Sequence, residues 1–141
     1  MELSDTTRHQ IIESLMTQHT ENVASAAIDL WELMATQIIS IVGAGGFSSL
    51  YMRSLFLVRP TFPWLADCSL SPQADVRFAN LRICFEGQTL VQASAANSLL
   101  LITFTDILAS LIGEGLTTSI LRSAWGNDAP NRAGKELKHE Q

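Results

Sequence analysis

The fold is decided by the stretch Ser98–Ile112, which has the sequence SLLLITFTDILASLI. Drawn as a helix, this stretch is apolar on nearly every side, and Asp106 is its only charge. A helix of that kind is surrounded by protein or by lipid. An aspartate at the centre of a bilayer costs about 2.5–3.5 kcal/mol on insertion scales, and the stretch is shorter than the roughly 20 residues that a membrane span needs. We therefore expect the core helix of a soluble domain and no membrane span.

The segments on either side also show helical spacing. An amphipathic segment runs from about Glu21 to Val42, and the run Gly43–Gly46 ends it, because glycine takes up the positive φ of helix ends. Ser71 and Pro72 are a typical helix start, whereas the alternation typical of strands is missing. The sequence predicts an all-α fold, a helical bundle of four to five main helices that are mostly antiparallel and joined by short loops. The expected helical segments are about 5–19, 21–42, 47–58, 73–86, 89–112 and 116–125.

Length and composition predict one domain with a short tail. The chain has 141 residues, of which 47% are apolar and only 16% are charged, compared with roughly 25% charged residues in ordinary soluble domains. Residues 1–126 are expected to form a single helical-bundle domain, and the polar residues 127–141 a disordered C-terminal tail. The polar, acidic start of the chain does not resemble a secretory signal, so a cytoplasmic location is expected.

Charge and cysteine content argue against several classes of function. The net charge is −5 and the arginines are scattered, whereas nucleic-acid binding draws on clustered basic residues. Cys68 and Cys84 lie 16 positions apart without a CxxC motif, so neither a metal site nor another cofactor site is indicated. We expect two reduced thiols, as is usual in a cytosolic protein.

A glycine-rich turn offers one nucleotide-binding alternative. Residues Ile38–Ser48 look like the strand and glycine turn of a dinucleotide-binding unit. The fingerprint needs a glycine where this chain has Ser48, and Pro60 interrupts the strand that would lead to an acidic residue at Asp67. The pattern favours a helix–glycine–helix turn. A nucleotide-dependent enzyme that uses Gly43–Gly46 stays the third alternative.

Four single charges lie within otherwise apolar helices, and buried charges need a partner. We predict that Asp106 forms an internal ion pair with Arg122 or Arg53, which would fix the helix register. The functional alternative is a polar spot at a partner interface or in a ligand cavity, the cavity lying beside Trp31 and Phe104. The candidate buried polar or interaction positions are Glu32, Arg53, Asp106, Arg122, Trp31 and Phe104.

No spacing singles out a nucleophile with its base, so no catalytic residue is assigned and an enzyme is not expected. His9 and His19 lack the surroundings of a phosphotransfer histidine and are expected to face solvent.

Two stretches carry a family resemblance. Phe47–Leu65 has the sequence FSSLYMRSLFLVRPTFPWL, and Leu99–Gly126 has the sequence LLLITFTDILASLIGEGLTTSILRSAWG. Together they resemble helical segments of uncharacterised proteobacterial proteins, some of them linked to signalling components. The resemblance covers about a third of the chain. It implies a bacterial regulatory or interaction module and assigns no activity and no functional residue.

These observations favour a non-enzymatic protein-interaction or regulatory module. Low charge and high apolar content leave apolar surface for a partner, and the small-residue stretches Ala24–Ala27 and Ala93–Ala96 would allow close approach of a helix. We expect the chain to self-associate as a homo-oligomer or to bind a protein partner. The alternative is a small-ligand-binding or sensory bundle.

Overall fold

The computed structural model describes residues 8–14 and 23–125. These ranges contain helices and no strand, which confirms the predicted all-α bundle. Residues 8–14 are helical and form α1. The other elements are α2 (Val23–Val58), two 3₁₀ helices (Pro63–Asp67 and Ala74–Val76), α3 (Ala79–Glu86), α4 (Leu90–Ile112) and α5 (Glu114–Trp125). The predicted tail, residues 127–141, lies outside the described residues.

Gly43 folds α2 back on itself. Its φ of 84° and ψ of 163° are not helical. Residues other than glycine rarely adopt this backbone conformation. The ring centroids of Trp31 and Tyr51 are 5.5 Å apart, although 20 residues of straight helix would separate them by about 30 Å. The two arms of α2, residues 23–42 and 44–58, therefore form a helical hairpin, as the glycine run predicts.

A second glycine reverses the chain between α4 and α5. Gly113 has a φ of 101°, and α5 then returns alongside α2, where the indole nitrogen Nε1 of Trp125 donates to the carbonyl oxygen of Leu30 at 2.9 Å. At its other end, α4 begins with Thr89, whose hydroxyl accepts from the backbone N–H of Gln92. That cap satisfies one of the free amides of the first turn.

An aromatic cluster joins the helices in the core. Trp31 is fully buried, with ring centroids 5.5 Å from Tyr51, 5.8 Å from Phe78 and 5.4 Å from Phe104. Its indole N–H donates to Oδ1 of Asn97 at 2.8 Å, so the polar edge of the ring has a partner in the core. The cluster connects both arms of α2 to α4 and to the start of α3.

The prediction of a helix over residues 73–86 is wrong for the first half of that segment. A 3₁₀ turn forms at Ala74–Val76, and α3 begins only at Ala79. The hydroxyl of Ser71 does accept from the N–H of Gln73, but the backbone N–H of Ser71 donates to the carbonyl of Arg77 at 2.9 Å. This contact closes a loop over residues 71–77. Phe78 follows the loop and lies in the aromatic cluster, directly before α3 begins.

The expectation of two reduced thiols is also wrong. Cys68 and Cys84 form a disulfide between the segment after the first 3₁₀ helix and α3. Their Cα atoms are 6.4 Å apart, within the usual range for such bonds. Tyr51 supports the same region, since its hydroxyl donates to the carbonyl of Cys68 at 2.7 Å and burial raises the pKa of its phenol above the usual range. Sequence spacing could not show this pairing, because the fold brings the two cysteines together.

Candidate functional site

The four charges predicted to be buried are all exposed. Glu32, Arg53, Asp106 and Arg122 lie on the solvent side of their helices, and the side chain of Asp106 is 48% exposed. The apolar residues around them in sequence do not surround them in space, because successive helical residues point about 100° apart. The prediction of internal ion pairs among these residues is therefore wrong.

Asp106 pairs instead with Arg8, a residue that sequence reasoning missed. Nη1 of Arg8 is 2.6 Å from Oδ1 of Asp106 and 2.8 Å from the hydroxyl of Thr105. Its Nε and Nη2 donate to the two carboxylate oxygens of Glu114 at 2.8 and 3.2 Å. Arg8 is only 2% exposed. No local signal in the sequence distinguishes it, because all these partners lie about 100 residues away.

Opposite charges in the Arg8 cluster stabilise one another. Burial lowers the pKa of Arg8, but hydrogen bonds to Glu114 and Asp106 outweigh burial and hold the pKa above its ordinary value. The hydrogen bond from Arg8 in turn lowers the pKa of the Glu114 carboxyl. His9, which was expected to face solvent, is 34% exposed, and its Nε2 is 3.0 Å from Oδ1 of Asp106. The cluster ties α1 to the corner between α4 and α5.

This cluster does not present an activated nucleophile. The hydroxyl of Thr105 accepts from Arg8 and donates to the carbonyl of Leu101 at 2.9 Å, so its proton is directed at the backbone of its own helix. Both carboxylates are held in charge-assisted hydrogen bonds to one guanidinium. The arrangement is that of a structural ion network, which fixes the first helix against the bundle.

A ligand cavity was predicted beside Trp31, Phe104 and Asp106, but these three residues do not lie around one common space. Trp31 and Phe104 are fully buried and contact each other in the aromatic cluster. Asp106 follows Phe104 by two residues, which places it on nearly the opposite side of α4. The core residues and the charge therefore face different surroundings.

A groove does lie elsewhere, between the first arm of α2 and the start of α3. Its volume is about 350 Å³, which is in the range of ligand sites. The groove is open to solvent, since Glu32, Asp75, Val76 and Ile83 on its walls are exposed. We call it the α3 groove. Its lining residues are Ile28, Glu32, Asp75, Val76, Phe78, Ala79, Arg82 and Ile83.

The second arm of α2 carries an exposed apolar face. Met52, Phe56 and Leu57 are 48%, 56% and 45% exposed, and the helical repeat places them on one side together with Arg53. Arg59 lies in the turn directly after the helix. The guanidinium carbon of Arg59 lies 4.7 Å from the centroid of the Phe56 ring, a cation–π contact. We call these five residues the α2 ridge. Sequence reasoning singled out only Arg53 from this face.

The glycine run Gly43–Gly46 lies at the turn of the α2 hairpin. The residues before it, 38–42, are helical, so the described residues do not contain the strand that a dinucleotide-binding unit places there. Among residues 8–14 and 23–125, no three His, Cys, Asp or Glu side chains are grouped so that they could hold a metal ion.

Two helices, Val23–Val58 and Leu90–Ile112, are long and apolar enough to cross a membrane by length and composition. The most apolar windows of these helices are 28% and 44% buried within the chain. Because α2 folds back at Gly43, its arms are residues 23–42 and 44–58. The first arm has the roughly 20 residues that a span needs, and the second is shorter. The expectation of no membrane span stays a prediction.

No protein-family model, no curated protein and no solved structure matches the chain. The resemblance to helical proteobacterial proteins therefore stays a prediction.

Proposed function

We propose that this chain is a non-enzymatic helical interaction module that self-associates through exposed apolar side chains. The observation that supports this proposal is the α2 ridge. Three large apolar side chains about half exposed on one helix face are typical of a surface that is covered by a partner. The arginines of the ridge suit such a role, because arginine and aromatic residues are enriched at interfaces.

The small-residue stretches are not the supporting observation. Ala27, Ala93 and Ala96 are buried inside the chain, where α2 and α4 pack closely. These three small side chains therefore pack within the bundle itself, and the large exposed apolar side chains are the stronger sign of an interaction surface.

Light scattering after size-exclusion chromatography tests self-association. We expect the molar mass to rise with protein concentration, and Phe56→Gln to reduce that rise because it replaces an apolar ring at the centre of the ridge. Val91→Gln is the matched control, since Val91 is 76% exposed but lies on α4. A chain that stays monomeric at high concentration would contradict the proposal.

The second candidate function is small-ligand binding, and the α3 groove favours it. An apolar floor with a few polar groups at the rim is the usual composition of a ligand site. Native mass spectrometry of protein purified from cells would detect a retained molecule, and Ile83→Lys would abolish its retention. If Ile83→Lys kept the molecule bound, the groove would not be its site.

For localisation, the sequence and the disulfide favour different compartments. The polar N-terminus predicts a cytoplasmic location, whereas disulfides persist mainly in oxidising compartments. We propose to decide this by acid quenching of intact cells, followed by alkylation of the unreduced protein in denaturant, because Cys68 is fully buried in the folded chain. Two alkylated cysteines would indicate a reducing location, and none would indicate an oxidising one.

A further inference from the structure

Charge is segregated along the hairpin of α2. Between Glu32 and Asp67 the sequence contains no acidic residue, and Arg53 and Arg59 are its only charges. Both arginines are exposed, and within the described residues neither lies within 4 Å of a carboxylate. The α2 ridge is therefore a positive, apolar surface on a chain whose net charge is −5.

The α3 groove has the opposite character. Its two carboxylates, Glu32 and Asp75, are exposed, and neither forms a salt bridge with any residue in the described ranges. Its one cation, Arg82, is directed elsewhere, with Nη1 3.2 Å from the hydroxyl of Ser25 and 3.8 Å from Oε2 of Glu86. The groove is therefore negative at its rim.

The α2 ridge and the α3 groove are also complementary in shape. The ridge is the convex side of a single helix, with Phe56 as its most exposed apolar residue. The groove is concave, with the buried ring of Phe78 at its floor and the exposed Ile83 and Val76 on its walls. An open groove of this kind leaves much of a small molecule in water, whereas ligand sites usually bury most of their ligand. A protruding helix face fits it better.

We propose that the α2 ridge of one copy docks in the α3 groove of a second copy. Arg53 and Arg59 would meet Glu32 and Asp75, and Phe56 would enter between the apolar walls. This inference rests on the proposed self-association and names its surfaces. One such contact uses the ridge of one copy and the groove of the other, so the first copy keeps its groove free and the second keeps its ridge free. Unless a two-fold axis lets the same two copies fill both sites, further copies add head to tail. Such contacts produce rings or open chains of copies.

A charge-swap series tests this contact by sedimentation of the full-length protein. The ridge variant is R53E/R59E, the groove variant is E32K/D75K, and the swap variant carries all four changes in one chain. We expect the ridge and groove variants each to weaken self-association about tenfold or more, since like charges then meet in the interface. We expect the swap variant to return close to the wild-type association constant.

Two controls distinguish loss of the proposed contact from misfolding and from a change in net charge. All five positions in the series and its control are exposed, and far-ultraviolet circular dichroism checks that every variant keeps its helices. R122E changes an exposed arginine on α5 and should leave association unchanged. If R122E weakens association as much as the ridge variant, the effect is one of net charge and the proposed contact is wrong.

The remaining outcomes distinguish this inference from the proposed function. A wild-type chain that is monomeric at all concentrations contradicts self-association itself. An oligomeric wild type whose size is unchanged in the groove variant contradicts only the ridge-and-groove contact, and a ridge that pairs with a second ridge gives this result. A wild-type monomer that binds phosphatidylglycerol vesicles through Arg53 and Arg59 assigns the ridge to a membrane surface and overturns the inference.

Discussion

At the scale of single residues, Arg8 shows how a charge is accommodated inside this bundle. It is the one buried charged side chain in residues 8–14 and 23–125, and it donates to two carboxylates and a hydroxyl. A buried guanidinium without such partners would be too costly to keep. Glu114 provides the bidentate contact and Asp106 the shortest one, so each carboxylate holds a different part of the guanidinium.

Replacing Arg8 with methionine should destabilise the chain by about 2 kcal/mol. That is less than the roughly 3–5 kcal/mol lost when a fully buried pair is broken, because the side chain of Asp106 is 48% exposed and can be solvated. Urea unfolding followed by circular dichroism measures the change. Arg122→Met removes an exposed arginine and should shift stability by less than about 0.5 kcal/mol. Equal losses in the two variants would contradict the role of Arg8.

Glu114 should make stability depend on pH in the acid range. Arg8 lowers the pKa of Glu114 in the folded chain, whereas in the unfolded chain the pKa of this carboxyl is about 4.3. The stability that this carboxylate adds is complete above that pH and is lost as the pH falls through the lower folded pKa. Glu114→Gln should cost about 1 kcal/mol at neutral pH, and the difference from wild type should shrink below pH ~4. A difference that stayed constant down to acid pH would show that the charge of Glu114 has no role.

At the scale of elements, the two glycine reversals convert long apolar helices into a compact bundle. Gly43 and Gly113 both have positive φ, and each joins two helices that pack against common neighbours. A continuous helix over residues 23–58 would separate Trp31 from Tyr51 and leave the aromatic cluster unformed.

Gly43→Ala should therefore destabilise the hairpin by about 1–3 kcal/mol, because alanine is strained at this φ and ψ. Gly45→Ala is the matched control. Gly45 lies two residues further on, its φ is not positive and no heavy atom lies within 4 Å of an added Cβ, so alanine should be neutral or stabilising by up to about 1 kcal/mol. Thermal unfolding of the two variants compares them. If Gly45→Ala were the more harmful change, the turn would not depend on the backbone of Gly43.

The disulfide stabilises the connection between the α2 hairpin and α3. Closing a loop across a sequence separation of 16 corresponds to about 3 kcal/mol in the chain-entropy account. We expect the double variant C68S/C84S to lose about that much in urea unfolding, and a reducing agent to lower the stability of the wild type alone. Mass spectrometry after alkylation of the unreduced, unfolded protein provides a direct check. Two alkylated cysteines in protein made under oxidising conditions would show that the bond does not form.

At the scale of the whole molecule, the apolar surface that the bundle leaves uncovered should link stability to concentration. Eleven large apolar side chains among the described residues are exposed, and only some of them lie on the α2 ridge. When a folded protein self-associates, mass action stabilises it as its concentration rises.

We expect the urea midpoint of the wild type to rise with concentration, by up to about 1.4 kcal/mol in unfolding free energy for each tenfold increase. Phe56→Gln should show a smaller rise of the midpoint with concentration, because it lacks the central residue of the ridge. Val91→Gln should behave as wild type. A wild-type midpoint independent of concentration would contradict self-association.

The sequence by itself determined most of the helices, because their apolar spacing and glycine stops are local signals that act within a few residues. The start of the helix predicted over 73–86 is the exception. The sequence predicted the bundle, the turn at Gly43–Gly46 and the buried apolar helix around Leu100 and Phe104. It could not tell which side of each helix would be covered, so Glu32, Arg53, Asp106 and Arg122 were expected inside and lie outside.

Only the tertiary structure decided the long-range pairings. Arg8 meets Asp106 and Glu114, and Cys68 meets Cys84, because the folded chain brings together residues between 16 and 106 positions apart. The α3 groove and the α2 ridge arise in the same way, from helices that pack on some faces and leave others bare. The physical reason is that helix formation depends on neighbours along the chain, whereas ion pairs, disulfides and surfaces depend on distances in space.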